Sequence, residues 1–506
     1  MYITYFRLHG AVAVTETVNT FLWLRVGLPL LMIAGVLLTY LLRGFQVTRL
    51  PHWMSRTIGS TIGAKTVRRI GKNGSISQFQ AMCTALAASL GVGNIAGVAA
   101  AILTGGPGAV FWMWIAALLG MATGFAENVL GVYYRRRRNG HWLGGAMYYL
   151  RDGIGHRWGR TLAGAFACCT ALASLGMGNA AQVNQIVLHI TEAFPAPALS
   201  SVTVFRGVSL YALLIGGVLT ALVAVALLGG LPRIAALTEK LVPTMVILFT
   251  LGTLTVIAVN HARIGNAFSA ILRNAFCANA LWGGATGITL RQVIVQGYKR
   301  GTFSHEAGLG SSVAVHAVSD TCEPVQQGMW SLFEVFIDTI VICTLTALVI
   351  LTGGVIDLST GATVSDGNGT ALVAAAFCGV FGTAGKQFVA IAVLLFAFST
   401  ILGWSQCGAA AAEYLGGSTL RRIHQALFVG MTLCGAGMTS SLAWNISDIF
   451  NGLMMIPNLV GVLLLSGEVR AITQNYIDRT IKHKKVAPLL SYDTRIQKQM
   501  EPFSQS

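Results

Sequence analysis

Long uncharged stretches of apolar residues recur along the chain. Val208 to Leu228 and Gln387 to Ala412 each contain no charged residue. As helices, both are long enough to cross the hydrocarbon core of a bilayer, which is about 30 Å thick. A transmembrane β-barrel would instead need alternating strands of about ten residues. The pattern therefore predicts an all-α integral membrane protein, whose helices satisfy their own backbone hydrogen bonds in lipid.

The apolar stretches predict about 11 transmembrane helices. A helix at 24–43 follows an N-terminal segment at 1–23 and leads into a basic cytoplasmic segment at 44–75. A short cytoplasmic helix is predicted within 299–320, and a cytoplasmic tail at 468–506. The ten further spans lie, to within a few residues, near 76–104, 107–135, 160–190, 208–229, 232–259, 266–298, 324–353, 386–412, 420–436 and 441–467.

The charge distribution predicts how these helices are oriented. Seven Lys and Arg lie between Arg43 and Ser75, four arginines occupy Arg135 to Arg138, and seven Lys and Arg follow Leu465. The segment 354–384 has two aspartates and no Lys or Arg. By the positive-inside rule, the N-terminus lies outside and the C-terminus in the cytoplasm, which requires an odd number of spans. The net charge of +16 is thus a topology signal of a bacterial inner-membrane protein, with no nucleic-acid partner expected.

Motifs of enzyme and cofactor chemistry are absent from the sequence. His305 and Glu306 begin an HExxH zinc pattern, but Leu309 occupies the position of the second histidine. The chain also has no CxxC pair and no GxxxxGK[ST] phosphate loop. We therefore expect neither an enzyme nor a bound cofactor.

Two predicted spans contain glycine clusters that break a helix. The first core span contains SLGVGNIAGV, Ser89 to Val98, and the sixth contains WGGATG, Trp282 to Gly287. Each glycine in a helix interior costs about 1 kcal/mol relative to alanine, and broken backbone in a membrane is tolerated where it lines a polar site. The breaks open two blocks of five spans, 76–259 and 260–467, as in an inverted repeat. The alternative is that these glycines only allow close helix packing.

Such breaks predict the type of ligand. Free N–H groups at the start of a half-helix attract a carboxylate, and free carbonyl groups at the end of one attract a small cation. A zwitterionic amino acid bound together with Na⁺ suits this arrangement.

Five motifs stand out along the chain: GGPGAVFWMWIAALLG from Gly105, GVGNIAGV from Gly91, FSHEAGLGSS from Phe303, FIDTIVICT from Phe336 and FSTILGW from Phe398. Together they resemble the alanine or glycine:cation symporter family, over about residues 24 to 465. The resemblance implies a leucine-transporter-like fold of two inverted five-helix repeats with two broken helices and one extra N-terminal helix. It also implies Na⁺-coupled uptake of small neutral amino acids such as alanine and glycine.

The resemblance also implies the site residues. Ser399 and Thr400, with the backbone of Gly91, correspond to a Na⁺ site, and Trp404 to a wall of the substrate pocket. Without the family, Thr400 would more often bond its own helix carbonyl and Trp404 would pack. Gln182 corresponds to a substrate contact, and Asn179, three residues earlier in the same span, could be the partner that its amide needs. The alternative is that Gln182 only bonds a neighbouring helix. The implied substrate-binding set is Gly91, Gly93, Asn94, Gly97, Gln182, Gly283, Gly284, Thr400 and Trp404.

Acidic residues within the spans are further candidates, because charge in lipid is expensive. Glu334 and Asp338 lie four residues apart on one helix face. A structural ion pair, a cation-coupling role and a gate role all stay open for them. Glu127 is expected to form an interfacial salt bridge with the nearby arginine cluster. The sequence assigns no role to Asp448 or Glu413.

The sequence thus predicts a symporter that works by alternating access. Val92, Ala100 and Ala285 replace residues that are larger or hydroxylated in the family pattern, so the pocket is expected to admit a side chain larger than a methyl group. A proton-coupled carrier that uses Asp338 or Glu334 is one alternative, and a non-transporting membrane sensor is the other. The oligomeric state and the number of ions per cycle are not encoded in any pattern that we recognise.

Overall fold

The computed structural model describes residues 15, 17–63, 75–138, 140–205, 207–276, 289–358, 363, 369–438 and 440–503. Its first helix, α1 (Thr17–Leu41), includes a π-helical segment at Phe21–Gly27. Helix α2 (Leu50–Met54) follows, among short helical turns at Phe45–Thr48, Ser55–Gly59 and Ser60–Gly63.

The first core helix is broken, as the sequence predicts. Ser77 begins α3 (Gln78–Ser89) with a capping box, in which its hydroxyl accepts the N–H of Gln80 at 3.0 Å and its own N–H donates to the Gln80 side chain at 3.1 Å. A single 3₁₀ turn follows at Val92–Asn94, and the helix resumes as α4 (Ala96–Gly105). Polar backbone is thereby freed in the middle of the protein.

The chain from Gly108 to Val259 is mostly long helices. A π-helical segment at Gly176–Ala180 interrupts the third core helix. The elements are α5 (Gly108–Tyr133), β1 (Arg136–Arg138) antiparallel to β2 (His141–Leu143), α6 (Ala146–Ile154), α7 (His156–Ala193), a turn at Pro197–Ser200, β3 (Thr203–Phe205) antiparallel to β4 (Val208–Ser209), α8 (Leu210–Leu228) and α9 (Gly230–Val259).

The part of the chain after residue 260 is also mainly helical. A π-helical segment at Phe336–Cys343 lies within the long helix Pro324–Thr352. The elements are α10 (Ile264–Asn274), α11 (Leu290–His305), α12 (Val313–His316), α13 (Pro324–Thr352), α14 (Gly369–Phe381), α15 (Ala384–Gly435), α16 (Ser440–Leu464), α17 (Ser466–Ile481) and α18 (Thr494–Met500).

The structure divides residues 266–320 differently from the prediction. The predicted span at 266–298, interrupted at Trp282 to Gly287, corresponds to two helices in the described residues: α10 ends at Asn274, and α11 begins at Leu290 and continues to His305. The predicted cytoplasmic helix within 299–320 is instead the buried end of α11, a break, and α12. The break arises because Glu306, Gly308 and Gly310 have φ values of 55°, 96° and 73°, which end a right-handed helix. The predicted break at Trp282 to Gly287 lies outside the described residues.

Among the described residues, seven helices are long and apolar enough to cross a membrane, and the bent pair Asp448–Leu464 with Ser466–Ile481 raises the number to eight when it is taken as one span. The 52-residue α15 is one of the seven and is kinked at Gly416 and Gly417. The broken helices α3/α4 and α11/α12 are not among these candidates. The count of about 11 stays a prediction. The division into two repeats at 259/260 stays a prediction.

The helices form two groups around the breaks. Helix α5 packs against α11 and α13, and α15 packs against α7 and α8. We call the side of the protein that carries Arg136–Arg138, Arg421 and Arg422 the basic face. A cavity of about 680 Å³ opens there, and its lining includes Arg138, Arg421 and Ser75. The helix breaks lie between these two groups of helices. A ligand site formed by the breaks would therefore also lie between the groups.

Candidate functional site

The first break directs free carbonyl groups toward the hydroxyl groups of α15. Ser399 Oγ donates to Phe396 O at 2.7 Å and lies 3.4 Å from Ala87 O. Thr400 Oγ1 donates to Leu90 O at 3.2 Å and to Phe396 O, one turn back in its own helix, at 3.0 Å. Both hydroxyls are buried. Carbonyl and hydroxyl oxygens of this kind are the ligands that small cations take at broken helices.

The backbone of the break is held by Asn94 and faces Gln182. Gly91 N–H donates to Asn94 Oδ1 at 3.0 Å, in place of a bond within a helix. Val92 N–H points at Gln182 Oε1 from 3.5 Å, and Gln182 Nε2 donates to Met177 O at 3.2 Å. Gln182, from α7, therefore reaches the break.

Asn179 is not the partner of Gln182 that the sequence suggested. Asn179 Nδ2 instead donates to Phe428 O at 2.6 Å, between α7 and the second half of α15. The π-helical segment at Gly176–Ala180 changes the helical spacing between the two side chains, so the i, i+3 relation of a regular helix does not apply.

The three candidate glycines of this break have different surroundings. A methyl group on Gly91 would lie 2.7 Å from Thr400 Oγ1, and one on Gly93 would lie 3.4 Å from the Phe303 ring. A methyl group on Gly97 would contact none of the described residues within 4 Å, although Gly97 is buried. Gly97 therefore borders a space that the described residues leave open, beside the start of α4.

Trp404 lies one turn beyond Thr400 on α15 and is fully buried. A methyl group on Gly178 would lie 2.3 Å from Trp404 Cβ, so the tryptophan fits there because α7 has a glycine at this position. The indole N–H donates to Glu306 Oε1 at 2.9 Å. Glu306 belongs to the second break and was considered in the sequence only as part of a failed zinc pattern. Its position within the motif FSHEAGLGSS was the available signal.

Asp338 and Glu334 share a helix but have different partners. Asp338 Oδ1 accepts a hydrogen bond from Asn94 Nδ2 at 2.8 Å, and its Oδ2 accepts one from Ser304 Oγ at 2.7 Å. The Thr339 hydroxyl donates to the same Oδ2 at 2.7 Å. These partners are neutral, and they link Asp338 on α13 to both broken helices.

Glu334 lies outside this cluster. Its Oε2 contacts His316 Nε2 at 3.1 Å, and His316 Nδ1 contacts Gln327 Nε2 at 2.6 Å. A structural pair with His316 accounts for this carboxylate, whereas Asp338 is next to the first break. Gly283 and Gly284, the remaining candidates, lie outside the described residues.

The expected salt bridge between Glu127 and the arginine cluster is absent from the described structure. Glu127 is buried and accepts a hydrogen bond from Asn458 Nδ2. The guanidinium group of Arg135 instead donates to carbonyls that follow α12, at 3.1 Å to Ala317 and 2.8 Å to Ser319. Glu127 lies about two helical turns before Arg135, roughly 12 Å along a helix axis, which is too far for a direct ion pair.

The two carboxylates without a predicted role form ion pairs. Asp448 on α16 contacts Lys299 Nζ on α11 at 2.8 Å, and Asn19 of α1 donates to the same Oδ2 at 3.0 Å. Glu413 contacts Arg421 Nη1 at 2.7 Å across the kink of α15. Through the hydrogen bond from Asn19, the Asp448 pair joins the extra N-terminal helix, α1, to the core.

Comparison with known proteins identifies the family of this chain. The family model described as "Sodium:alanine symporter family" matches residues 9–488. The chain belongs to the sodium:alanine symporter family. "Sodium/alanine symporter AgcS" of Methanococcus maripaludis is 39% identical over 467 residues, which cover 92% of this chain and 97% of that protein. "Probable sodium/glutamine symporter GlnT" of Bacillus subtilis is 34% identical, with 90% of this chain and 89% of that protein covered.

A solved structure supports the fold of this sodium:alanine symporter family member. The crystal structure of MhsT in complex with L-phenylalanine superposes with a TM-score of 0.52 at 14% identity, and covers 80% of this chain and 99% of that one. The predicted leucine-transporter-like, all-α membrane fold is confirmed. The protein is a multi-pass, cation-coupled amino-acid transporter and not an enzyme.

Proposed function

We propose that this protein imports a small neutral amino acid, with alanine and glycine as the first candidates, together with Na⁺ across the bacterial plasma membrane. The observation that carries the proposal is the first break itself. There, two freed carbonyl groups and two hydroxyl groups converge, and a space that the described residues leave open begins beside Gly97. Similarity to a sodium/alanine symporter and to a sodium/glutamine symporter supports both ligands.

Na⁺ would bind between α3 and α15. The carbonyl oxygens of Ala87 and Leu90 and the hydroxyl oxygens of Ser399 and Thr400 would be its ligands. The hydroxyl oxygen of Ser399 lies 3.4 Å from Ala87 O, and that of Thr400 lies 3.2 Å from Leu90 O. A cation between them would replace those hydrogen bonds by contacts with all four oxygens. Binding would thereby fix the broken helix against α15, as in other transporters with discontinuous helices.

The amino acid would bind beside this ion, at the start of α4. The first N–H groups of a helix have no partner within it and carry partial positive charge, so they attract a carboxylate. Gln182 would contact the carboxylate from α7, and Trp404 would close the pocket. The space at Gly97 would receive the side chain, which favours small residues and leaves room for more than a methyl group.

Asp338 would bind a second cation in the transport cycle. Burial of a carboxylate with neutral partners alone is costly, and Asp338 has only Asn94, Ser304 and Thr339 as hydrogen-bond partners in the described structure. A second Na⁺ or a proton would remove this cost. Proton coupling therefore remains the second candidate mechanism, with the same amino-acid site.

Transport would follow alternating access with the basic face in the cytoplasm. The cavity on that face would be the cytoplasmic end of the transport route. One positive charge that moves inward down 100 mV contributes about 2.3 kcal/mol. This corresponds to roughly fiftyfold accumulation of the amino acid before the Na⁺ gradient is added.

Equilibrium binding of radiolabelled alanine to the purified protein tests the proposal. We expect saturable binding that requires Na⁺, is displaced by glycine or serine, and is lost in Thr400→Ala. Binding of equal strength in K⁺ would contradict the Na⁺ site. The absence of competition by any neutral amino acid would contradict the substrate class.

A further inference from the structure

We propose that Glu306 is a positioning residue that holds Trp404 across the inner side of the amino-acid site and so closes the route to the basic face. The proposal rests on the proposed function, because it assigns Trp404 to the transport route. It adds a barrier and the residue that maintains it, and neither follows from the sequence motifs alone.

The order of contacts along α15 gives the first argument. Thr400 bonds to the first break. Trp404 follows one turn later, and Gln406 and Ala410 then line the cavity on the basic face. Trp404 therefore lies between the candidate ion site and that cavity.

The second broken helix has the same order. Ser304, at the end of α11, bonds to Asn94 and Asp338 beside the first break. Glu306 follows, and Ala314 and Val318 line the cavity on the basic face. Glu306 is therefore at the same level as Trp404, and the hydrogen bond between them spans the route.

Two contacts among the described residues join the break to α15. The Trp404 indole donates to Glu306 Oε1 at 2.9 Å, and the Ser311 hydroxyl donates to Glu306 Oε2 at 2.7 Å. One turn further along α15, Cys407 Sγ lies 3.2 Å from Ser311 O. Both carboxylate oxygens of Glu306 are thus engaged, and one of them fixes the ring.

The backbone around both residues explains why they are held so firmly. Glu306 has a φ of 55°, which ends α11 and turns the carboxylate away from the helix axis. Trp404 cannot shift toward α7, because its Cβ fills the space that a side chain at Gly178 would need. The hydrogen-bonded pair of Glu306 and Trp404 therefore closes the route to the basic face by a specific contact and not by general packing.

Closure predicts that Cys407 is shielded while the bond is intact, because Cys407 is fully buried one turn beyond Trp404. The test uses full-length protein with Cys407 as its only cysteine, in inside-out membrane vesicles. A membrane-impermeant methanethiosulfonate reagent is added, and its rate of reaction with Cys407 is measured. Glu306→Ala and Trp404→Phe each remove one side of the bond, and we expect both to raise the rate by about fivefold or more.

Two variants separate the hydrogen bond from other effects. Glu306→Gln retains an oxygen that accepts the indole N–H, so its rate should stay within about twofold of the parent. Glu127→Gln is the matched control. Glu127 is also a buried glutamate, but it bonds Asn458 and not Trp404. Its rate should not change.

The proposal fails if Glu306→Ala reacts no faster than the parent protein, or if Glu306→Gln reacts as fast as Glu306→Ala. It also fails if Glu127→Gln raises the rate equally, since the effect would then be general loosening. These rates are independent of the transported amino acid and ion. Failure of the proposed function would appear instead as absent alanine binding in the parent protein.

Discussion

Replacement of Gly91 by alanine tests whether the first break and Thr400 form one ion site. The added methyl group would lie 2.7 Å from Thr400 Oγ1 and 3.4 Å from Gln182 Oε1. Gly91 has a φ of −131°, a value that alanine adopts freely, so the backbone itself is not strained. The substitution therefore acts through its contact with Thr400.

The structure gives the size of the effect. Thr400 is β-branched, so its χ1 angle has few favourable values. It relieves the contact by changing to another of these values, which turns its hydroxyl away from Gly91. This rotation also takes the hydroxyl oxygen away from Leu90 O and Phe396 O, which lie 3.2 and 3.0 Å from it and share its single proton. If this oxygen is a Na⁺ ligand, its loss removes one polar contact with the ion, worth about 1 kcal/mol by comparison with a hydrogen bond. This corresponds to an affinity for Na⁺ about fivefold weaker.

The assay is the Na⁺ dependence of alanine uptake into proteoliposomes, with the concentration for half-maximal uptake as its readout. Gly97→Ala is the matched control, because its methyl group would contact none of the described residues within 4 Å. Its Na⁺ requirement should stay within about twofold of the parent, while competition by the larger amino acids weakens. A melting curve for each variant verifies that both fold.

One result would refute this reasoning. If folded Gly91→Ala protein keeps the parent Na⁺ dependence, Thr400 is not an ion ligand. Equal shifts of the Na⁺ dependence in Gly91→Ala and Gly97→Ala would mean that the break is sensitive to any added methyl group. The contact with Thr400 would then not be the cause of the effect.

Three further substitutions make separate predictions. Asp338→Asn removes a buried charge and should reduce the number of cations moved per alanine, measured from the reversal potential; an unchanged ratio contradicts its coupling role. Gln182→Ala removes the acceptor near Val92 N–H and should raise the KM for alanine about tenfold, so an unchanged KM excludes the contact. Burial, with Arg56 and Arg49 nearby, lowers the pKa of His52 below its usual 6.5. The unfolded chain then binds more protons below that pH, and the Tm of the parent should fall relative to His52→Gln as the pH drops; a relative rise contradicts this.

The first break was predictable because its signals are local. Gly91, Gly93 and Gly97 lie within seven residues in an otherwise apolar span, and no soluble turn is expected there. The hydroxyl pair at Ser399 and Thr400 was also assigned, although only through the resemblance to a family. Periodicity alone would have favoured the bond of Thr400 within its own helix, and the structure has both contacts.

The second described break was missed because its helix is polar. Helix α11 carries Arg291, Lys299 and Arg300, so it does not resemble a lipid-facing span. Lys299 is compensated by Asp448, 149 residues away along the chain. No local pattern contains that information, and the glycines after Glu306 therefore appeared to belong to a loop.

The partners of buried acids were hidden from the sequence for the same reason. Glu127 bonds Asn458, 331 residues away, and Glu306 bonds Trp404, 98 residues away. The cost of burial in a membrane marks such residues as important. Which neutral or charged group compensates them depends on how the helices pack.

Uptake of radiolabelled alanine into proteoliposomes under an inward Na⁺ gradient, compared with an equal K⁺ gradient, tests the central claim most directly. We expect accumulation only with Na⁺, with a rate that rises when the interior is made negative. Accumulation driven by an inward proton gradient in the absence of Na⁺ would contradict Na⁺ coupling and move the coupling to a carboxylate such as Asp338. No accumulation under either gradient, with protein that binds alanine, would contradict transport itself.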